Sequence, residues 1–144
     1  MLPELIAALC LLAATVIIHA AVLTVLLRRL AEAPALKAMG FWRVASLLVS
    51  VSWVLLILHL VEIGLWALLF WWLKCLPDLE ASLYFSGVTY ATLGYGDVLL
   101  AQEWRLLGPL EALTGTLLCG LSVSFFFVLL SRVVAARTTL GRSS

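Results

Sequence analysis

Residues Leu5 to Leu27 run for 23 positions without an Asp, Glu, Lys or Arg, and His19 is the one residue among them able to take a positive charge. A helix needs about 20 apolar residues to cross a bilayer core, so this run is long enough to span it. Two more runs repeat the pattern. Val44 to Leu73 is interrupted by His59 and Glu62 and closes on Phe70, Trp71 and Trp72, the aromatic composition of a membrane interface. Leu106 to Leu130 is interrupted by Glu111. With 65% hydrophobic and only 12% charged residues, the chain departs from the composition of soluble domains and reads as a membrane protein. A cleaved signal peptide would carry positive charge before its apolar run, whereas here "MLPEL" precedes and "RRL" follows, so the first span is expected to be retained.

Charge orients the spans. Arg28, Arg29, Lys37 and Arg43 lie between the first and second, and Arg132, Arg137 and Arg142 follow the third, which places both segments on the cytoplasmic side of the cell membrane and the N-terminus outside. Lys74 and Arg105 fall on the outer side, accompanied there by Asp78, Glu80, Asp97 and Glu103. A net charge of +1 makes no case for a nucleic-acid partner. Cys10, Cys75 and Cys119 are too widely spaced for a metal site or a disulfide framework, although Cys75, near a boundary, could cross-link chains. No phosphate loop, metal-ligand cluster or nucleophile–base set is visible, so neither enzymatic activity nor a cofactor is expected. No span carries arginines at every third position, which excludes a familiar voltage sensor. The twelve residues after Arg132 lead to the expectation of no cytoplasmic ligand-binding domain. The segment "AEAPALKAMGFW" reads either as a short interfacial helix or as a connecting loop.

Between the second and third spans the chain does not look like a simple loop. Pro77 and Asp78 form a helix-start signal, and Leu79 to Tyr90 would make about 18 Å of helix, half a bilayer. Such a helix enters the membrane and must return, and its return limb is irregular backbone that only a protein or wet surrounding tolerates. The limb reads "TLGYG", Thr92 to Gly96. Glycine at alternate positions, Gly94 and Gly96, permits alternating left-handed backbone, which would aim successive carbonyl oxygens at one axis and turn Leu93 and Tyr95 away from it. Thr92 would add a hydroxyl oxygen. Rings of such oxygens can replace the water shell of a cation. One loop per chain cannot encircle an ion, and no internal repeat supplies another, so four copies are expected around a fourfold axis.

"TLGYGD" resembles the "TVGYGD" signature of potassium channels, and the order of helix, half-helix, filter and helix is similar to their pore domain, here with Leu93 in place of valine. The resemblance implies an all-α membrane protein of three transmembrane helices plus a re-entrant pore helix and selectivity-filter loop, assembled as a homotetramer in a lipid bilayer. It divides the chain into residues 1–43, an N-terminal span and linker; 44–132, the pore domain; and 133–144, a short tail. It implies potassium passing a filter of Thr92 to Gly96, with ions held at Thr92, Leu93, Gly94 and Tyr95, and a hydrogen bond between Tyr84 and Asp97 behind it. Val88 stands where some relatives carry glutamate. Gly115 and Gly120 align with glycines at which inner helices bend; close helix packing is the other reading for each. Thr116, Cys119, Val123 and Phe127 share one helical face that lines the cavity, or else faces lipid or a neighbouring helix. Ionisable groups in a span are costly and mark either function or a satisfied packing contact. Glu62 and Glu111 fall in the outer half by helical rise, with His59 one turn deeper on nearly the same face as Glu62, and at least one of the three is expected to change charge near neutral pH as they steady the filter from behind. Besides a potassium-selective pore, a non-conducting scaffold or accessory subunit and a weakly selective cation channel remain as readings.

Overall fold

The computed structural model describes residues 2–32 and 40–138. Among them are four α-helices and no strand: α1 (Leu2–Glu32), α2 (Phe41–Trp72), α3 (Leu79–Tyr90) and α4 (Leu107–Thr138). Three are long and apolar enough to cross a membrane, over Leu2–Ala31, Phe41–Trp72 and Leu107–Ala135. The chain is an all-α, multi-pass membrane protein. Lys37 and Arg142, and most of the segment expected as an interfacial helix or loop, lie outside the described residues, whereas Phe41 and Trp42 open α2 itself.

The helices overrun the apolar runs where end chemistry favours it. α1 begins three residues before Leu5, with Glu4 in its first turn and Arg29 in its last, the signs the helix dipole prefers at each end. Pro3 and Pro109 fall in first turns, where the missing N–H would have had no intrahelical partner. α2 ends by a left-handed residue, Lys74 at φ 56°, with Lys74 N–H donating to Trp71 and Cys75 N–H reaching back to Phe70 at 2.9 Å. This is the Schellman closure. A few residues later Asp78 starts α3 from extended backbone, its Oδ1 accepting from Ala81 N–H at 2.8 Å. The cap and the start of α3 are those expected from Pro77 and Asp78, and its end is Tyr90, the expected limit of the half-membrane helix.

α2 packs on α3, α1 on α4, and α3 on α4, with α1 also touching α2. Along the bundle the interior falls into layers. Leu30, Val51, Leu55, Leu58, Phe125 and Leu129 form one apolar cluster. Ala8, Trp66, Phe70, Tyr90 and Leu107 form another. His19 lies 11 residues from both Ala8 and Leu30 along α1, about 16 Å each way, and marks a polar layer between them. The outward faces of α2 and α4, including Trp53, Ile57, Leu60, Leu113, Val123 and Phe127, are left uncovered by the chain itself.

Gly115 is where α4 passes the end of α3. A Cβ at this position would fall on the Tyr90 carbonyl oxygen, while a Cβ at Gly120 would meet nothing within 4 Å. Close packing therefore accounts for Gly115. Gly115→Ala should destabilise the folded chain by about 1–3 kcal/mol, because the obstructing atom is backbone and cannot rotate away. Gly64→Ala, with nothing within 4 Å of its new Cβ, should stay within about 0.5 kcal/mol of the parent. Melting temperatures of the three proteins in one detergent test the contrast, and equal values would show that the approach does not constrain the fold.

Candidate functional site

α3 ends in a second Schellman closure. Thr92 N–H donates to Thr89 and Leu93 N–H to Val88, both at 2.9 Å. The left-handed position of this motif usually belongs to glycine. Here it belongs to Thr92, at φ 57°. A β-branched residue in that region costs roughly 1–2 kcal/mol, and strain of this kind gathers at functional sites. The left-handed backbone then recurs at every second residue, Gly94 at φ 56° and Gly96 at φ 77°, while Leu93 and Tyr95 keep negative φ. The glycine spacing pointed to two of these positions. It missed Thr92, because threonine is among the last residues a sequence argument would place there. Residues 91–97 are exposed on the single chain, Leu93 and Tyr95 by 55% and 66%, so two large apolar side chains stand without cover.

Behind this segment the Tyr84 hydroxyl donates to Asp97 Oδ2 at 2.6 Å. That bond holds the Asp97 carboxyl below its ordinary value and raises the Tyr84 phenol above its own. The sense is that of a charge-assisted pair. A depressed carboxyl loses its contribution only as pH falls through its lowered value, and a raised phenol loses it only as pH rises through its raised one. The link therefore persists from the acid side of the ordinary carboxylate range to the alkaline side of the phenol range.

The three ionisable residues of the second and third spans do not form one group. Glu62 is fully buried in the polar layer. Its Oε1 lies 2.9 Å from His19 Nδ1, and its Oε2 accepts from the Tyr90 hydroxyl at 2.6 Å and lies 3.2 Å from His59 Nδ1. Ser122 Oγ stands 3.0 Å from His59 Nε2 and 3.2 Å from His19 Nε2. Five side chains from all four helices thus meet in the membrane interior. Glu111, equally buried, pairs separately with Ser86, whose hydroxyl lies 2.5 Å from Glu111 Oε1 and 2.8 Å from the Ile63 carbonyl oxygen. The expectation of no clustered metal-binding side chains is corrected here: His19, His59 and Glu62 converge, although 43 residues separate the first from the last.

Thr116, Cys119, Gly120, Val123 and Phe127 are all exposed on one chain, a face that the chain itself leaves open. Val88 is half-buried, and its carbonyl closes the end of α3. Cys75 is half-buried as well, and burial pushes its thiol up to about 11, which leaves little thiolate for cross-linking at neutral pH.

A family model described as "Ion channel" matches residues 57–132, more than half of the chain, from the middle of α2 through α3 into α4. Neither a curated protein nor a solved structure matches it.

Tyr84→Phe should raise the pKa of Asp97 toward the ordinary value of about 3.9, since the bond that favours its ionised form is gone. Carbon-detected NMR of the labelled aspartate reads this directly, and an unmoved pKa would mean that the hydrogen bond does not form in the folded protein.

Proposed function

The chain belongs to the ion channel family, and we propose that within it this protein is a potassium-selective pore formed by four identical subunits. The observation that carries the reading is the alternation of left-handed backbone at Thr92, Gly94 and Gly96, at the return from a half-membrane helix. Alternation at every second residue turns successive carbonyl oxygens to one side, which suits the replacement of a cation's water shell. Thr92, Leu93, Gly94 and Tyr95 offer the oxygens, with Gly96 completing the turn. The Thr92 hydroxyl adds one more, which gives the strained threonine a purpose that glycine would not serve. A single chain brings one such segment, so four are needed around the ion, and the uncovered Leu93 and Tyr95 then pack against neighbouring subunits.

The other exposed faces support the same assembly. With four copies arranged about the filter axis, Thr116, Cys119, Val123 and Phe127 of α4 line the cavity beneath it, and the apolar face of α2 meets lipid. The C-terminal end of α3 aims its partial negative charge toward that cavity, which favours cations there. In this arrangement the N-terminus is outside and the basic segments after α1 and α4 are cytoplasmic, in the cell membrane. Tyr84 and Asp97 brace the outer end of the filter, whereas Glu62 and Tyr90 hold its inner end.

Purified protein in liposomes should pass potassium and reject sodium. Gly94→Ala should reduce potassium flux to background while inserting normally, because a Cβ in the left-handed region opposes the required backbone by about 1–2 kcal/mol in each chain. Equal flux of the two ions would indicate a weakly selective cation channel, and no flux a scaffold. A conducting, selective Gly94→Ala protein would remove the filter from this segment.

A further inference from the structure

The polar layer contains an arrangement that ion conduction does not require. One donor atom from each of His19, His59 and Glu62 lies within 4.8 Å of the other two. His19 and Glu62 are fully buried, and His59 is 17% exposed. Both imidazoles turn Nδ1 toward the same carboxylate, at 2.9 and 3.2 Å. Both turn Nε2 toward the same hydroxyl, Ser122 Oγ. Tyr90 Oη stands on the remaining side, 2.8 Å from His59 Nδ1 and 2.6 Å from Glu62 Oε2.

Counting protons shows what this cage accommodates. With both imidazoles neutral and donating from Nδ1 to the carboxylate side, both Nε2 atoms are acceptors, and Ser122 has one hydroxyl proton to share between them. One Nε2 then faces an oxygen lone pair in a membrane interior. With the other tautomer at His59, both Nε2 atoms are met by Ser122, but Nδ1 and Glu62 Oε2 face each other as lone pairs at 3.2 Å with one Tyr90 hydroxyl proton to share. With a cation among the two Nδ1 atoms and the carboxylate, each ring carries its proton on Nε2 instead, and the two lone pairs of Ser122 accept both. A hydroxyl that accepts from both rings stands where a carboxylate, a backbone carbonyl or water usually accepts from metal-binding histidines. The inner donors also suit a metal. Two imidazoles and one carboxylate are a set that zinc takes, and bonds of about 2.0–2.1 Å hold tetrahedral donors roughly 3.3 Å apart. Each imidazole stands near that distance from its own carboxylate oxygen, His19 from Oε1 and His59 from Oε2, so the carboxylate would turn to present one oxygen to the ion.

We propose that His19, His59 and Glu62 bind one divalent transition-metal ion of the zinc type, with Tyr90 Oη as the fourth donor. Ionised Tyr90 would bring the net charge of the site to zero, which a membrane interior favours. The ion would join α1 to α2 and to the last residue of α3, two positions before Thr92. The site does not depend on the chain conducting, because binding is read directly.

The full-length protein in detergent is titrated with Co2+ alone, and its visible d–d absorption is followed. Intense bands of a tetrahedral site at one ion per chain, displaced by Zn2+, are the expected result. The near-ultraviolet charge-transfer band of cobalt–thiolate bonds, which Cys10, Cys75 or Cys119 would bring, should be missing. His19→Gln should abolish the bands. Ser122→Ala leaves all four donors in place and should weaken Zn2+ binding roughly 10–100-fold, so the test survives a poorly folding His19 variant. Weak octahedral bands only, a thiolate band, or binding unchanged in both variants overturns the assignment and leaves the cage to a proton shared between the imidazoles.

Discussion

A carboxylate within a bilayer has to be met by groups of its own protein, because lipid offers it no hydrogen-bond donor. Glu62 is met by His19 of α1, by His59 one turn away on α2 and by Tyr90 at the end of α3, and both histidines lean on Ser122 of α4. Apolar surfaces can slide over one another at small cost because their attraction has no direction. The contacts of Glu62 do have direction, so they fix the axial register of all four helices, and the apolar clusters on either side fill in around a position already chosen.

That register has a counterpart where α3 meets α4. Gly115 lets α4 pass against the Tyr90 carbonyl, while the Tyr90 hydroxyl reaches the opposite way to Glu62. Ser86, one turn earlier on α3, is held by Glu111 and by the Ile63 carbonyl. The half-membrane helix is therefore gripped from α2 and α4 at two levels. Thr92 is itself the left-handed residue of its closure, so no slack separates this gripped helix from the left-handed run.

Much of this was legible in the sequence, and what was not had a common cause. Asp78 announced α3 because an N-cap is local chemistry, and Gly94 and Gly96 announced the left-handed backbone because their conformational freedom is intrinsic. The Tyr84–Asp97 bond spans only 13 residues and followed from the resemblance. The polar layer was only half visible. Glu62 and His59 stood out as ionisable residues in a span, but their partnership with His19 and Ser122 depends on how α1 and α4 pack, and 103 residues lie between those two. Glu111 was grouped with them because depth along a helix can be counted, whereas the direction in which a side chain leaves it could not. The left-handed backbone of Thr92 was not foreseen for a different reason: propensity argues against threonine there, and the surrounding fold overrides propensity.

The polar layer also imposes an order in time. As the chain is synthesised, His19 enters the bilayer with none of its partners yet made. Glu62 follows 43 residues later, Tyr90 another 28 after that, and Ser122 last of all. Until Ser122 arrives, the Nε2 atoms of both histidines lack the hydroxyl they meet in the finished bundle, in surroundings where an unmet polar group is costly. Insertion of α4 brings that hydroxyl and closes the layer. The layer that sets the register of the finished bundle is thus complete only once α4 stands beside the other three helices.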